Sequence, residues 1–530
     1  MKLLFLIFIS LSFYLYASDW KAAYAPKTDK WKSVKQDFIF NNEAEPETLD
    51  PQSMSDFSGI RIAMSMYEGL LSQDPKTLKE KPGMAESWTI SDDGLTYIFK
   101  IRRNAKWNDG SKLTAYDFEK SWLRAISKEI SNPYVNLLFL IKSVKNFRDG
   151  RATKADLGFK AIDEHTFKVT LNKPSGYFLS LMSFPTFYPV RTDLIKKHGI
   201  QWLKAENHVS NGPFTMTEWL PKQHILMTKS KHYWDRDFIK LNSVKALAIK
   251  DRNTALEAFD KGDVHYMAAI PVSKIDEIKF KPEYHVSHKF GTYFFRFNVT
   301  KPPFDDKRVR KAFSLAINRQ SITKYICKGG EKPITSFCPP IVGYEPVKGF
   351  EYDKVKAKQL LKEAGYGPSG KPFPEVTVLF NTKELEKDIV QKLSQQWEAN
   401  LGIRVKTENK EWKVYLKDMK LLSYDLCRSS WTGDYPHPST FMDCFVTGDG
   451  NNRTGWSSPE YDRLAEQARS ELEPQKRDKL YHQMERILVE EECPIMPIYR
   501  CVTHSLRNDS VHGIYSNIQS RHNFKFVWLE

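Results

Sequence analysis

Between Phe373 and Thr407 the chain reads strand, helix, strand. Phe373 to Phe380 has strand character, Leu385, Ile389, Val390, Leu393 and Trp397 recur at helical spacing, and Ile403 to Thr407 is strand-like again. Two strands joined through a helix lie parallel, because the helix carries the chain back to the end of the sheet from which it set out. A mainly parallel sheet covered by helices is therefore expected in the C-terminal half, an α/β arrangement. Asp353 to Ala364, closed by Gly365, adds a helix to the same half.

One such sheet cannot account for the whole chain. At 530 residues the sequence exceeds what a single core organises, so two or three domains are expected. A hydrophobic content of 41% and an aromatic content of 13% supply ample material to bury and exclude wholesale disorder. Lysine and arginine total 80 against 65 acids, a formal charge of +15. The basic residues are dispersed rather than gathered into a tract, so no nucleic-acid partner is expected.

At the start, Lys2 precedes the apolar run Leu3 to Leu15, and Ala17-Ser18-Asp19 supplies small residues where a signal peptidase would cut. Residues 1–18 are read as a cleaved signal peptide and the product as an exported, periplasmic protein. No cysteine lies near the cut, so there is no lipobox for lipid attachment. The six cysteines, Cys327, Cys338, Cys427, Cys444, Cys493 and Cys501, all fall in the C-terminal half. Their even number in an exported chain permits disulfides, and their spacing contains no C-x-x-C pair.

Gln36 to Phe40 is expected to be a strand, and Ile60, Met64, Tyr67 and Leu71 mark a helix ending near Gly69 to Leu71. Asp93-Gly94 then turns a hairpin between Trp88 to Ile90 and Thr96 to Arg102, with Tyr97, Phe99 and Ile101 on one face. Thr114 and Asp117 form a capping box that opens a helix striped by Phe118, Trp122, Leu123 and Ile126.

The stretch with the most chemistry is Tyr424 to Phe441. It begins as a short strand, Tyr424 to Cys427, and is expected to break into a loop punctuated by Gly433, Pro436 and Pro438 and holding Arg428, Trp431 and Asp434. A guanidinium, a flat ring and a carboxylate so close together suit a ligand bearing both charges with a body between them. A surface ion pair beside a core tryptophan would leave the same pattern. Enzyme signatures are missing: there is no G-x-G-x-x-G after a strand, no G-x-x-x-x-G-K-[ST], no H-E-x-x-H and no G-x-S-x-G. Glu491-Glu492 and Asp305-Asp306 read as solvated or capping acids, and His437 as a loop histidine. No enzyme, cofactor or metal is expected.

Several motifs in order carry a resemblance. They are the hairpin block Ala85 to Gly110, Gly158-Phe159-Lys160-Ala161-Ile162-Asp163, Asn211-Gly212-Pro213-Phe214, Pro302-Pro303-Phe304-Asp305-Asp306-Lys307-Arg308, Tyr352-Asp353 through Leu360 to Tyr366, and Pro459-Glu460-Tyr461-Asp462. In these the chain resembles the large extracytoplasmic solute-binding proteins that serve ABC importers of peptides, dipeptides and nickel. Asn104 departs from the acid usual in that family.

The resemblance implies a two-lobed α/β fold of the periplasmic-binding-protein type II kind, with an extra third domain and a hinged ligand cleft. Lobe I would comprise 19–68, 193–290 and 503–530, the additional domain II 69–192, and lobe III 291–502. It implies short peptides as ligand, an ABC transporter membrane permease as partner, and a monomer. Asp434 would anchor the peptide ammonium beside Trp431, main-chain groups near Ser430 and Trp431 would pair with the peptide backbone, and Trp412, Tyr134 and Phe57 would wall the cleft. Arg428 falls where relatives can meet the peptide carboxylate, whereas Cys327 and Glu386 stand where relatives keep basic residues. Gly291 and Thr432 occupy the positions of a disulfide found in some relatives. Asn451 and Asn452 would either contact the ligand or close their own turn. The alternatives are the same scaffold holding a cell-wall peptide, a nickel chelate or haem, and an exported hydrolase.

Overall fold

The computed structural model describes residues 22–530 apart from Ser55, Pro368, Ser369, Lys383, Asp434 and Leu472, and only the backbone of Val272, Glu384, Trp412 and Lys413. The signal peptide expected over 1–18 lies outside the described residues. The chain gathers into two compact units. One holds the residues up to His285 with His504–Asn517 and Arg521–Glu530, and the other holds Val286–Thr503 with Ile518–Ser520.

In the first unit, β1 (Asp37–Asn41) is followed by helix α1 (Phe57–Met66). Asp56 caps α1 by accepting from the Gly59 N–H at 2.7 Å. The helix stops short of the expected end. Tyr67 turns extended, with φ −123° and ψ 159°, and Leu71 opens the short strand Leu71–Gln73. The Gly212 N–H donates to the Met66 carbonyl at 2.7 Å and the Asn211 side chain brackets the Glu68 backbone, which holds the chain out of the helix. Gly69 then passes so close to Met182 that a Cβ would sit 2.0 Å from its carbonyl oxygen. The expected hairpin is β2 (Ala85–Ile90) and β3 (Thr96–Ile101), paired antiparallel with Trp88 opposite Phe99. Tyr97, Phe99 and Ile101 are all buried. Helix α2 (Ala115–Ala125) starts at the Thr114–Asp117 capping box and buries Phe118 and Trp122. It packs on β4 (Phe159–Asp163) and β5 (Thr166–Thr170), which complete a four-stranded sheet in the order β2-β3-β5-β4. A second sheet places β1 parallel to both Ser243–Leu247 and Tyr266–Met267.

In the second unit the strand-helix-strand reading is realised as β6 (Thr377–Asn381), α3 (Glu384–Leu401) and β7 (Lys406–Lys410), with β6 and β7 parallel. On α3, Ile389, Val390, Leu393 and Trp397 are buried as their spacing requires, and the Trp397 indole donates to the Phe313 carbonyl at 3.1 Å. Strand β8 (Leu426–Thr432) lies parallel to β6, pairing through Val378 opposite Leu426 and Leu379 opposite Cys427. On its other side β8 pairs antiparallel with 291–297. The sheet is thus mixed where a mainly parallel one was expected. Strand β8 also runs past Cys427, where a loop was expected. Register explains this: Arg428, Ser430 and Trp431 sit opposite Phe295, Tyr293 and Thr292, and that ladder holds the polar segment extended.

A buried carboxylate fixes a long loop in this unit. Glu485, on helix Pro474–Arg486, accepts from the backbone N–H groups of Phe337, Cys338 and Val347 at 3.0, 2.7 and 2.9 Å and from the Tyr344 hydroxyl at 2.9 Å. Burial outweighs these donors and pushes its pKa from 4.5 up to about 7. Because the folded protein then holds this proton more tightly than the unfolded chain, the group's contribution is most favourable below pH 4.5 and is lost as pH rises to about 7. Thermal unfolding followed from about pH 5 to about pH 7 should therefore show a flatter pH dependence in Glu485→Gln than in the parent. Separately, Trp397→Ala should cost about 3 to 5 kcal/mol in chemical denaturation, the usual loss for emptying a buried tryptophan site.

Candidate functional site

Strand β8 brings three of the expected residues together: Arg428, Ser430 and Trp431. Its ladder with β6 ends at Cys427, so among the described residues the edge of β8 from Arg428 onward has no strand beside it. The Tyr415 hydroxyl donates to the Arg428 carbonyl and caps the start of that edge. Ser430 is exposed. An open edge with its register fixed from behind can accept another extended chain by main-chain hydrogen bonds.

Trp431 is half-buried, with one face against a core that includes Phe290, Phe294 and Phe441. Its indole N–H is shut from solvent and has no acceptor among the described residues. A buried donor left in this way costs stability unless something fills its hydrogen bond, which makes Trp431 a candidate ligand contact. Directly after β8, Gly433 donates its N–H to the Phe290 carbonyl at 2.7 Å, and any Cβ at this position would lie 2.3 Å from the Phe290 ring. That contact sets where the chain leaves the sheet. Asp434, the expected ammonium anchor, lies outside the described residues.

Arg428 has a partner that the sequence reading did not assign. Its Nη2 lies 2.7 Å from Glu386 Oε1, while Glu386 Oε2 accepts from the Tyr293 hydroxyl at 2.5 Å. The guanidinium also lies 4.8 Å from the centre of the Tyr293 ring. Burial works against the charge on Arg428, but Tyr293 and Glu386 more than offset it, so its pKa is held above the ordinary arginine value. The acid's position, three residues before Ile389 on the buried side of α3, was the available sequence signal.

Other expected positions fall into separate settings. Trp412 is the first residue of helix Trp412–Lys420. Asn452 closes its own turn, the second of its two expected roles: its amide donates to the carbonyls of Phe445 at 3.2 Å and Trp456 at 2.8 Å, and its oxygen accepts from Thr454 at 2.8 Å. Phe57 and Tyr134 belong to the first unit. Phe57 opens α1 with 62% of its surface exposed. Tyr134 is half-buried with its ring edge-on to Phe184 at 4.8 Å. His437 is half-buried, edge-on to the Tyr481 ring, with Nδ1 2.9 Å from the Ser439 hydroxyl. Desolvation, with the Arg477 charge nearby, holds its pKa down to about 3. Cys327, Cys338, Cys427, Cys493 and Cys501 are free thiols, and burial pushes Cys427 and Cys493 up to about 12 and Cys501 up to about 11. Gly291 and Thr432 face each other across the ladder. Among the described residues no group of His, Cys, Asp and Glu could hold a metal ion, and no helix is long and apolar enough to cross a membrane.

Residues 79–453 match the family described as bacterial extracellular solute-binding proteins, family 5 Middle. The dipeptide-binding protein DppE of Bacillus subtilis is 35% identical over 497 residues, covering 92% of this chain and 91% of that protein. Among solved structures, the unliganded open form of the periplasmic murein tripeptide-binding protein MppA aligns with a TM-score of 0.84 at 32% identity, over 93% of this chain and 97% of that one. A periplasmic oligopeptide-binding protein of an oligopeptide ABC transporter from Borrelia burgdorferi aligns with a TM-score of 0.76 at 33% identity, over 93% and 99%. The expected two-lobed α/β fold is that of these relatives. The exit from β8 can be tested directly: Gly433→Ala should lower stability by about 1 to 3 kcal/mol in denaturant titration, as overpacking against a fixed ring does.

Proposed function

Because this chain belongs to the bacterial extracellular solute-binding proteins of family 5, we propose that it captures short peptides in a hinged cleft and hands them to an ABC transporter permease. The observation that carries this reading is the open edge of β8, with exposed Ser430 and the unsatisfied indole of Trp431 along it. A peptide lying along that edge would gain main-chain hydrogen bonds that do not depend on its side chains. Asp434 would receive the peptide ammonium, and a carboxylate sheltered by a bound ligand needs such a cation. Trp412, Tyr134 and Phe57 would wall the cleft.

The protein acts as a binding protein without catalysis, as a monomer, in the periplasm after removal of residues 1–18. The dipeptide-, murein tripeptide- and oligopeptide-binding roles of the relatives support the binding role, and the periplasmic relatives support the location. Residues 69–192 act as an additional domain II, a reading supported by their own four-stranded sheet. Lobe I would then comprise 19–68, 193–290 and 503–530, and lobe III 291–502.

Calorimetry with tri- to pentapeptide mixtures tests the proposal. Binding should require a free amino terminus, and N-acetylated mixtures should give no heat; equal binding of both would refute the ammonium anchor. Asp434→Ala should weaken binding by about 2 to 5 kcal/mol, the usual loss when one partner of a buried charge pair is truncated.

A further inference from the structure

Arg428 supplies the positive charge at the start of the open edge, and the protein has already matched it. The side chains of Arg428 and Glu386 are 13% and 6% exposed, with 2.7 Å between Nη2 and Oε1. At that distance and burial the two charges cancel at close range with little competition from water. Tyr293 locks the acid in place: its hydroxyl donates to Glu386 Oε2 at 2.5 Å, its ring lies under the guanidinium, and it stacks on Tyr499 with 4.6 Å between ring centres. Both strands and α3 hold the cluster, since Tyr293 and Arg428 stand on adjacent paired strands and Glu386 on the crossover helix.

A ligand carboxylate brought to Arg428 would meet the Glu386 charge together with the guanidinium. The buried Nε of Arg428 has no acceptor among the described residues, but a carboxylate taking it would stand beside the Glu386 charge that already matches the cation. Displacing Glu386 would leave that acid buried without a partner, and both effects oppose binding of the anion. An uncharged chain end, or a chain that simply continues, meets no such penalty.

We propose that Glu386 is the built-in anion of this strand, so that the protein binds peptides without reading a free C-terminal carboxylate at Arg428 and takes blocked or extended chain ends as readily as free acids. This rests on the peptide-binding reading above and adds a specificity to it.

The test is calorimetry with one peptide that binds, offered as its free acid and as its C-terminal amide. The two dissociation constants should agree within about threefold, whereas an acid binding more than about tenfold tighter would overturn the inference. In Glu386→Gln the competing charge is gone, and the acid should come to bind about tenfold or more tighter than the amide; continued parity in a folded variant would also overturn it. The comparison on the parent protein stands whether or not that variant folds. An acid preference in the parent removes this inference and leaves peptide binding intact, whereas failure of both forms of every peptide tried removes the peptide reading and this inference with it.

Discussion

The antiparallel pairing of β8 with 291–297 is the constraint from which the rest of the candidate site follows. Seven consecutive registered pairs, from Gly291 opposite Thr432 to Phe297 opposite Leu426, fix which residues of a polar segment face inward and which stay exposed. A slip by one residue would exchange the two sides of β8, placing Ser430 in the sheltered setting of Ser429. The register is secured by the apolar side chains behind it, since Phe294, Phe295 and Phe297 are all fully buried. It continues into Gly433, whose N–H bonds the Phe290 carbonyl and whose missing side chain leaves room for the Phe290 ring. Strand position, open edge and exit direction thus have one origin.

Much of this was legible in the sequence. The crossover from β6 through α3 to β7 followed from helical spacing at Ile389, Leu393 and Trp397, and the hairpin of β2 and β3 from Asp93-Gly94 between alternating strands. Two readings failed for the same reason, that a partner distant in sequence decided the outcome. Glycine and proline at 433, 436 and 438 suggested a loop from Arg428 onward, yet 291–297 holds the segment extended as far as Thr432. The apolar spacing through Leu71 suggested a longer α1, yet hydrogen bonds from Gly212 to the Met66 carbonyl and between Asn211 and the Glu68 backbone draw the chain out of it. Local pattern names an element well and bounds it poorly when tertiary pairing sets the limit.

The electrostatics of β8 were legible only in part. Arg428 stood out as a charge near a tryptophan, but its neutralisation needed the fold, because Glu386 is forty-two residues away on a helix. The same geometry separates two kinds of polar group on one strand. The charge of Arg428 is matched by Glu386 through Nη2, with Tyr293 bracing the acid, although its Nε has no acceptor among the described residues, whereas the single donor of the Trp431 indole has none at all. A sheltered pair is costly to disturb, and a sheltered orphan donor favours any ligand that satisfies it. On the proposed function, recognition along this strand would fall to backbone groups and the tryptophan rather than to the matched cation.

Family membership narrows what such an edge can receive, and the ligand itself remains the most direct readout of the account. Native mass spectrometry of the protein as purified measures it without prior choice of a ligand. The expected result is a set of adducts whose masses are released on denaturation and fragment as short peptides of mixed sequence. A single adduct of non-peptide mass, such as haem or a nickel chelate, would contradict the account.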